Sequence, residues 1–227
     1  MMRALPALAL ALFAACTPVS EPDTRRNALF HAMQGCLAEP EPASTCVLVD
    51  RAQGFVVLKD HDPAKPEAWL LVPDVEVTGI EDSRVLEPPV VDFWRHGWDV
   101  ARRLIARPPD RTALAINSRA GRSQDLLHIH ISCLDRSVAK ALASATVGRG
   151  WATPLTLDGH AYHARKVTTL EPSPFLLLRE IPGAAADMAS QSLAVTGAPG
   201  GGFLLLADAT GPDGPGEAEE LLDETCR

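Results

Sequence analysis

The segment LLHIHISC, residues 126–133, alternates apolar and polar side chains from Leu127 onward. Successive side chains along a strand point to opposite faces of a sheet. One face therefore receives only Leu, Ile and Cys side chains, and the other receives His128, His130 and Ser132. The segment predicts a strand that turns an apolar face to a core and a chemically active face to a site.

The preceding segment TALAINS, residues 112–118, predicts a second strand with the same kind of alternation. A polar loop that contains glycine, SRAGRSQD, separates the two segments. If Leu114 and Ile116 join the same core as the apolar face of the histidine strand, Asn117 lies on the face of the two histidines. The two strands together therefore place an amide beside two imidazoles.

The rest of the chain predicts an α+β fold with an antiparallel sheet. Residues 54–60 and 68–73 form strands of a hairpin, and residues 89–105 have the apolar spacing of a helix. Residues 26–133 thus read strand, strand, helix, strand, strand after a first helix at 26–37. Residues 134–227 predict a helix, a strand at 160–169, a helix across the second half of 174–189, and a last hairpin. This second part is either a degenerate repeat of the first or an extension that completes the sheet.

Residues 1–15 have one Arg and a short apolar run, which is typical of an export signal. Cys16 follows LFAA, which resembles a bacterial lipobox, so we expect a lipidated Cys16 and a polar tether at 16–25; a plain export signal is the alternative. Both place the protein on the outer side of a bacterial cytoplasmic membrane. The net charge of −8 argues against a nucleic-acid partner.

Four cysteines remain when Cys16 is set aside, an even number in an oxidising compartment. Four cysteines allow three pairings. Cys36 with Cys46 would close a short loop, and Cys133 with Cys226 then follows by elimination. That second disulfide would tie the end of the chain to the histidine strand.

The chemistry of the H-x-H pattern stays open from the residues alone. A neutral imidazole is a good nucleophile near pH 7, so His130 could attack phosphorus. Alternatively, the pair could bind zinc with His160 or His163 as a further ligand. The two histidines could also be structural.

The longer stretch AINSRAGRSQDLLHIHIS resembles the histidine-triad (HIT) superfamily of nucleotide hydrolases and transferases. The resemblance makes His130 the nucleophile, with Asn117 and Gln124 at positions that contact phosphate. Ser132 stands where the third histidine of the triad is expected, and its hydroxyl can donate to phosphate. The upstream hairpin resembles the family's nucleoside-binding strands, which implies that Leu58 lies near the base and Asp60 holds the ribose; a simple turn residue is the alternative for Asp60.

Together with the exported N-terminus, GHAYHARKV and Cys226, this stretch resembles the bacterial CDP-diacylglycerol pyrophosphatases. The resemblance implies hydrolysis of CDP-diacylglycerol to CMP and phosphatidate through a nucleotidyl-histidine, without an obligatory metal or other cofactor. His128 would orient the pocket. Arg119 and Arg122 would offer cations to phosphate, with Arg165 and Lys166 as weaker candidates.

Three further expectations concern the lipid, the oligomeric state and other functions. The aromatic residues Phe93, Trp94 and Trp98 either pack in a core or line a groove for acyl chains. HIT proteins are often dimers, but a second half could replace the partner, which favours a monomer. The alternative functions are a nucleotidyltransferase or dinucleotide hydrolase, and a non-catalytic lipoprotein that binds a nucleotide or a metal.

Overall fold

The computed structural model describes residues 25–38, 43–151, 154–212 and 214–227. The predicted signal, Cys16 and nearly all of the predicted tether lie outside these ranges, so lipidation and export remain predictions. Within the described part of the chain, none of the helices has the length and apolar character needed to cross a bilayer.

The structure is a mixed α/β fold with four α-helices and ten strands in the described residues. The helices are α1 (Ala28–Leu37), α2 (Phe93–Leu104), α3 (Arg136–Ser144) and α4 (Pro174–Leu178). The strands are β1 (Cys46–Asp50), β2 (Phe55–Lys59), β3 (Trp69–Pro73), β4 (Thr112–Ile116), β5 (Ile129–Leu134), β6 (Leu155–Leu157), β7 (His160–Val167), β8 (Gln191–Gly197), β9 (Phe203–Ala209) and β10 (Leu222–Asp223). A short 3-10 helix, Ala218–Leu221, precedes β10.

All strand pairs are antiparallel, as predicted, and the main path through the sheet is β1-β2-β3-β5-β4-β8-β9-β7-β6. The short β10 lies off this path and pairs with β5. The predicted histidine strand, β5, therefore lies inside the sheet between β3 and β4. Because both of its edges are paired, its backbone is fixed on both sides.

The two parts of the chain have the same strand order around the pair β4–β8. Inside the edge strand β1, the first part reads β2-β3-β5-β4 toward the centre, and the second part reads β6-β7-β9-β8 from its own edge. In each part a helix lies between the second and third of these strands in chain order. A row of pairs crosses this centre: His130 opposes Ala115, Ala115 opposes Ala194, and Ala194 opposes Leu206. The second part thus completes the sheet with the connectivity of a repeat, and Leu206 stands where the first part has His130. The division into separate units at residue 133 stays a prediction.

The alternation of the central strands separates two apolar cores on opposite faces of the sheet. The core on one face contains Ile129, Ile131 and Leu114 and is closed by α2 and α4. Burying one such side chain contributes about 1.5–3 kcal/mol. Phe93 and Trp94 belong to this core and are fully buried, so their interpretation as core residues is confirmed.

The other face carries two smaller clusters with a space between them. Helix α1 packs on the first part of the sheet through Leu29 and Met33. Helix α3 and the segment Ala218–Leu221 pack on the second part, where they cover Leu206. His128, directly before β5, and His130 face the space between the two clusters.

Two disulfides join the pairs that the sequence suggests, Cys36–Cys46 and Cys133–Cys226. The first attaches the end of α1 to the start of β1, and the second attaches the C-terminal residues to β5. Their Cα–Cα distances of 5.6 and 5.2 Å are in the normal range for disulfides.

One predicted helix is wrong. The sequence predicts a helix across the second half of residues 174–189, but the helix is in the first half, Pro174–Leu178, and the rest forms short 3-10 turns. Pro182 has no amide hydrogen to continue a helix, and Gly183 adopts a left-handed φ of 89°. The alanines that follow therefore cannot extend α4.

Candidate active site

A cavity of about 570 Å³ opens between the two clusters on the histidine face of the sheet. The cavity has a polar end that contains the two histidines and an apolar side formed by α1, β2 and β3. Its lining includes Ala28, Leu29, Ala32, Leu58, Asp60, Lys65, Leu70, Asn117, Gln124, His128, His130 and Glu219. Its size is typical of sites for small ligands.

His130 is held in the middle of β5, opposite Leu70 on one neighbouring strand and Ala115 on the other. Its side chain is about nine-tenths buried, and neither ring nitrogen has a hydrogen-bond partner among the described residues. Burial lowers the pKa of the His130 imidazole to about 4. The imidazole is therefore neutral near pH 7 and keeps a nitrogen lone pair, as a nucleophile requires.

His128 lies directly beside His130, with ring centroids 4.8 Å apart and ring planes at 67°. Its Nδ1 lies 2.7 Å from the backbone carbonyl oxygen of Leu126. Because a carbonyl only accepts, this contact fixes the proton on Nδ1. Burial lowers the pKa of His128 as well, so two neutral rings stand side by side.

The C-terminal segment places a carboxylate against this pair. The Glu219 Oε2 atom lies 3.3 Å from His130 Nε2, at ion-pair distance but without hydrogen-bond geometry. Asn117 Nδ2 donates to the same Oε2 at 2.9 Å, and the Glu219 amide donates to Asn117 Oδ1 at 3.0 Å. The other oxygen, Oε1, accepts from Lys65 Nζ at 2.7 Å. Burial would raise the pKa of Glu219, but the charge that His130 carries once it is protonated in acid, together with the Lys65 ammonium, outweighs burial and lowers the pKa to about 2.

The segment that carries Glu219 is attached to β5 at several points. The strand β10 pairs with β5 at Leu222 and Asp223, and the disulfide of Cys226 holds the last residues. Ser132 Oγ lies 2.7 Å from the carbonyl oxygen of Glu67 and 3.1 Å from that of Asp223. No motif or spacing in the sequence marks Glu219 or Lys65 as a site residue.

Some of the residues predicted to contact phosphate line the cavity, and others do not. Asn117 and Gln124 line the cavity, on the histidine face as predicted for Asn117. The Gln124 amide also fixes the start of α1, because its Oε1 accepts from the Leu29 amide at 2.9 Å and its Nε2 donates to the Arg25 carbonyl at 3.0 Å. Ser132 is completely buried and does not line the cavity, since its hydroxyl is directed at backbone carbonyls.

The two loop arginines do not line the cavity either. Arg122 makes two hydrogen bonds to Glu81, at 2.6 and 2.7 Å, and its side chain is 3% exposed. Arg119 is exposed, and its amide donates to the Ala189 carbonyl. Arg119 or Arg122 would have to change its side-chain position to contact a phosphate in the cavity. The weaker candidates are also engaged elsewhere, because Arg165 pairs with Glu180 and Lys166 donates to the Pro199 carbonyl.

The predicted nucleoside contacts both line the apolar side of the cavity. Leu58 faces α1, and Asp60 stands at the end of β2. The Asp60 Oδ1 atom accepts from the Asp62 amide at 2.9 Å, so Asp60 has a turn function in addition to its place in the cavity.

Among the residues that the structure describes, one group of side chains comes close enough to be considered for a cation: His130, Glu219 and Glu224, whose ligand atoms lie within 4.8 Å of one another. The Lys65 ammonium already lies 2.7 and 3.0 Å from the two carboxylates and supplies the positive charge there, so we do not interpret the group as a metal site. Burial, together with the nearby Glu219, raises the pKa of Glu224 to about 7.

The two histidines considered as further zinc ligands lie in the second part of the chain. His160 Nδ1 is 2.7 Å from Glu220 Oε1, and His163 lines a separate cavity. Neither belongs to the group around His130 in the described residues.

Comparison with known proteins gives a consistent result. A family model described as CDP-diacylglycerol pyrophosphatase matches residues 24–227. The CDP-diacylglycerol pyrophosphatase of Yersinia pestis is 42% identical over 204 residues, and the match covers 83% of this chain and 77% of that protein.

Two crystal structures of yeast Ap4A phosphorylase Apa2 are similar in fold. The complex with Ap4A has a TM-score of 0.52 over 80% of this chain, and another structure has a TM-score of 0.53 over 82%, both at 15% identity. The chain spans about two thirds of the length of the phosphorylase, 65% and 66%. At this identity the likeness concerns the fold alone, and the predicted HIT-like α+β fold is confirmed.

Proposed function

Because the chain belongs to the CDP-diacylglycerol pyrophosphatase family, we propose that it hydrolyses the pyrophosphate bond of CDP-diacylglycerol, giving CMP and phosphatidate. The observation that carries the proposal is the neutral, buried imidazole of His130 in a cavity with the Asn117 amide. In this proposal, one cavity supplies the nucleophile, a hydrogen-bond donor to the phosphate and an apolar side for the nucleoside.

In the proposed reaction, His130 Nε2 attacks the α-phosphorus and displaces phosphatidate, which leaves with the bridging oxygen. A cytidylyl-histidine results. Water then attacks the same phosphorus, the P–N bond breaks, His130 returns to its neutral form, CMP leaves, and one proton from water is released. Two displacements replace one difficult hydrolysis.

The neighbouring groups position the phosphate rather than react with it. Charge in phosphoryl transfer lies mainly on the nonbridging oxygens, so donors aimed at them stabilise the transition state. We assign such contacts to Asn117 and to the loop that ends at Gln124, both of which line the cavity. The ring of His128 packs against His130 and fixes its orientation.

The apolar side of the cavity suits the nucleoside. Leu29 of α1 and Leu58 of β2 would contact the cytosine ring, and Asp60 would accept from ribose hydroxyls. Because this wall includes α1, which Gln124 fixes at its first turn, the nucleoside and phosphate parts of the site are linked.

We further propose that Cys16 is lipidated and holds the enzyme on the outer side of the cytoplasmic membrane, where a lipid substrate is present. Replacement of Cys16 by Ser should move the protein from the membrane fraction to the soluble periplasmic fraction. If C16S stays in the membrane fraction to the same extent as the wild type, the anchor is wrong.

The test of the function is mass spectrometry of enzyme quenched during turnover of CDP-diacylglycerol. The wild type should release CMP and carry a cytidylyl adduct on the peptide that contains His130. The H130A variant should show neither, whereas H31A, which replaces an exposed histidine of α1, should behave as the wild type. Full turnover by H130A would exclude the mechanism, and no turnover by the wild type would exclude the substrate.

A further inference from the structure

The Lys65 side chain lines the same cavity as His130. It contacts Oε1 of Glu219, while His130 Nε2 lies against Oε2 of the same carboxylate. A single anionic group therefore bridges the nucleophile and the lysine. Asn117 Nδ2 donates to this anionic group from a third direction.

From this arrangement we infer that Lys65 is a catalytic residue that binds the leaving phosphate, and that the diphosphate of the substrate takes the place of the Glu219 carboxylate. The inference rests on the proposed function. It assigns a role to a lysine in the turn between β2 and β3 that no motif in the sequence marks.

The contacts of Glu219 are those that an anionic phosphate group would need. A carboxylate accepts hydrogen bonds through two oxygens, and here these oxygens engage an amide donor and an ammonium donor at 2.9 and 2.7 Å. Charge-assisted contacts of this kind also hold phosphate oxygens. Glu224 lies 3.0 Å from Lys65 and would remain its carboxylate partner when phosphate replaces Glu219.

Lys65 is the suitable cation because the others in this region are engaged elsewhere. The second lysine of the cavity lining, Lys59, is directed at the carbonyls of Pro66 and Ala68 and at the Trp69 ring. Arg122 is bound to Glu81, and Arg119 does not line the cavity. Lys65 lines the cavity and forms an ion pair with the carboxylate that also lies against His130.

In the first displacement, the new bond forms between His130 Nε2 and the α-phosphorus. The bond between the α-phosphorus and the bridging oxygen breaks, and its electron pair stays on that oxygen as part of phosphatidate. Negative charge thus increases on the leaving phosphate, and the Lys65 ammonium offsets it by a charge-assisted hydrogen bond without transferring its proton. Preformed donors of this kind each contribute about 10²-fold or more to kcat.

The test compares two cytidylyl substrates with different leaving groups: CDP-diacylglycerol, and the p-nitrophenyl ester of CMP, whose leaving group is not a phosphate. Replacement of Lys65 by Met should lower kcat/KM for CDP-diacylglycerol about 100-fold, and by less than about 5-fold for the nitrophenyl ester. K65R should recover most of the lost activity. K140M, which replaces an exposed lysine of α3, should match the wild type on both substrates.

The outcomes separate a catalytic role from a structural one. Equal losses on both substrates in K65M, or no loss on either, would overturn the inference. Because K65M leaves two carboxylates without their lysine, the double variant K65M/E219Q repeats the comparison with less negative charge, and the same selective loss is expected. If the wild type turns over neither substrate, the proposed function itself fails, which is a different result.

Discussion

Glu219 and Asn117 exchange two hydrogen bonds, one from the Asn117 side-chain amide to the Glu219 carboxylate and one from the Glu219 backbone amide to the Asn117 oxygen. The two residues are 102 positions apart, so this exchange joins the C-terminal segment to the end of β4. The same carboxylate lies 3.3 Å from His130 Nε2. The C-terminal segment is therefore part of the candidate active site.

The close approach of this segment to the polar loop at residues 118–125 depends on Gly121. A Cβ atom at residue 121 would lie 2.5 Å from Glu217 Cγ and 2.8 Å from the Gly216 carbonyl oxygen. We expect G121A to displace residues 216–217, to lower stability by about 1–3 kcal/mol and to reduce kcat/KM. The control is G148A, because nothing lies within 4 Å of a Cβ there. Denaturant unfolding and steady-state kinetics should separate the two variants, and identical behaviour would contradict the close approach.

The S132A variant tests whether the Ser132 hydroxyl is structural or binds phosphate. The Ser132 Oγ lies 2.7 and 3.1 Å from the carbonyl oxygens of Glu67 and Asp223, so S132A removes the buried donor between them. We expect the free energy of unfolding to fall by about 1–3 kcal/mol, the cost of unsatisfied buried groups. Unfolding in urea measures this change. Unchanged stability with a large loss of activity would instead support the phosphate contact that the HIT resemblance implies.

The sequence predicted the parts of this site that depend on local alternation. The period of two in residues 127–133 fixes which side chains of β5 share a face, and it correctly brought Asn117 to the two histidines. The disulfide pairs were predictable because setting Cys16 aside leaves few alternatives. The antiparallel order followed from strands joined by short loops.

Long-range contacts could not be predicted in the same way. Nothing near Glu219 in sequence indicates that it reaches β5, because its position follows from the β10 pairing and the 93-residue disulfide loop. Arg122 was predicted to contact phosphate from its place in the polar loop, but it forms an ion pair with Glu81 from a distant segment. The contacts of charged side chains depend on which elements fold against them, and a single sequence does not encode this locally.

The two disulfides should differ in their effects on stability and activity. In the chain-entropy description, a loop of 93 residues contributes about 4–5 kcal/mol and one of 10 residues about 2–3 kcal/mol. C133A/C226A should therefore lose more stability than C36A/C46A in urea unfolding. It should also lose more activity at temperatures where both variants remain folded, because only Cys226 lies on the segment with Glu219. Equal losses of activity would show that this segment holds its position without the disulfide.

The pH dependence should report the low pKa of His130. Burial lowers that pKa to about 4, and the groups that act on it are Glu219, which raises it, His128 and Lys65, which lower it, and Asp60, which raises it. Protonation removes the lone pair that attacks phosphorus, so kcat/KM should fall only as the pH drops through about 4, well below the ordinary value near 6.5. Since an unfolded histidine takes up its proton near 6.5, folding stability should already decline between about pH 6.5 and 4.

The E219Q variant tests how the charge of Glu219 affects the pH at which kcat/KM falls. Without the Glu219 charge, the protonated form of His130 loses its main favourable partner, so the acid limb of kcat/KM should move to still lower pH. The pKa of Glu224 is raised to about 7, so its titration should add a second transition to the kcat/KM profile near neutral pH. The E224Q variant should remove this transition without moving the acid limb to higher pH. Profiles of kcat/KM from pH 3 to 8, with His130 followed by NMR titration, measure both effects. A wild-type NMR titration of His130 near pH 6.5 would contradict the neutral buried nucleophile.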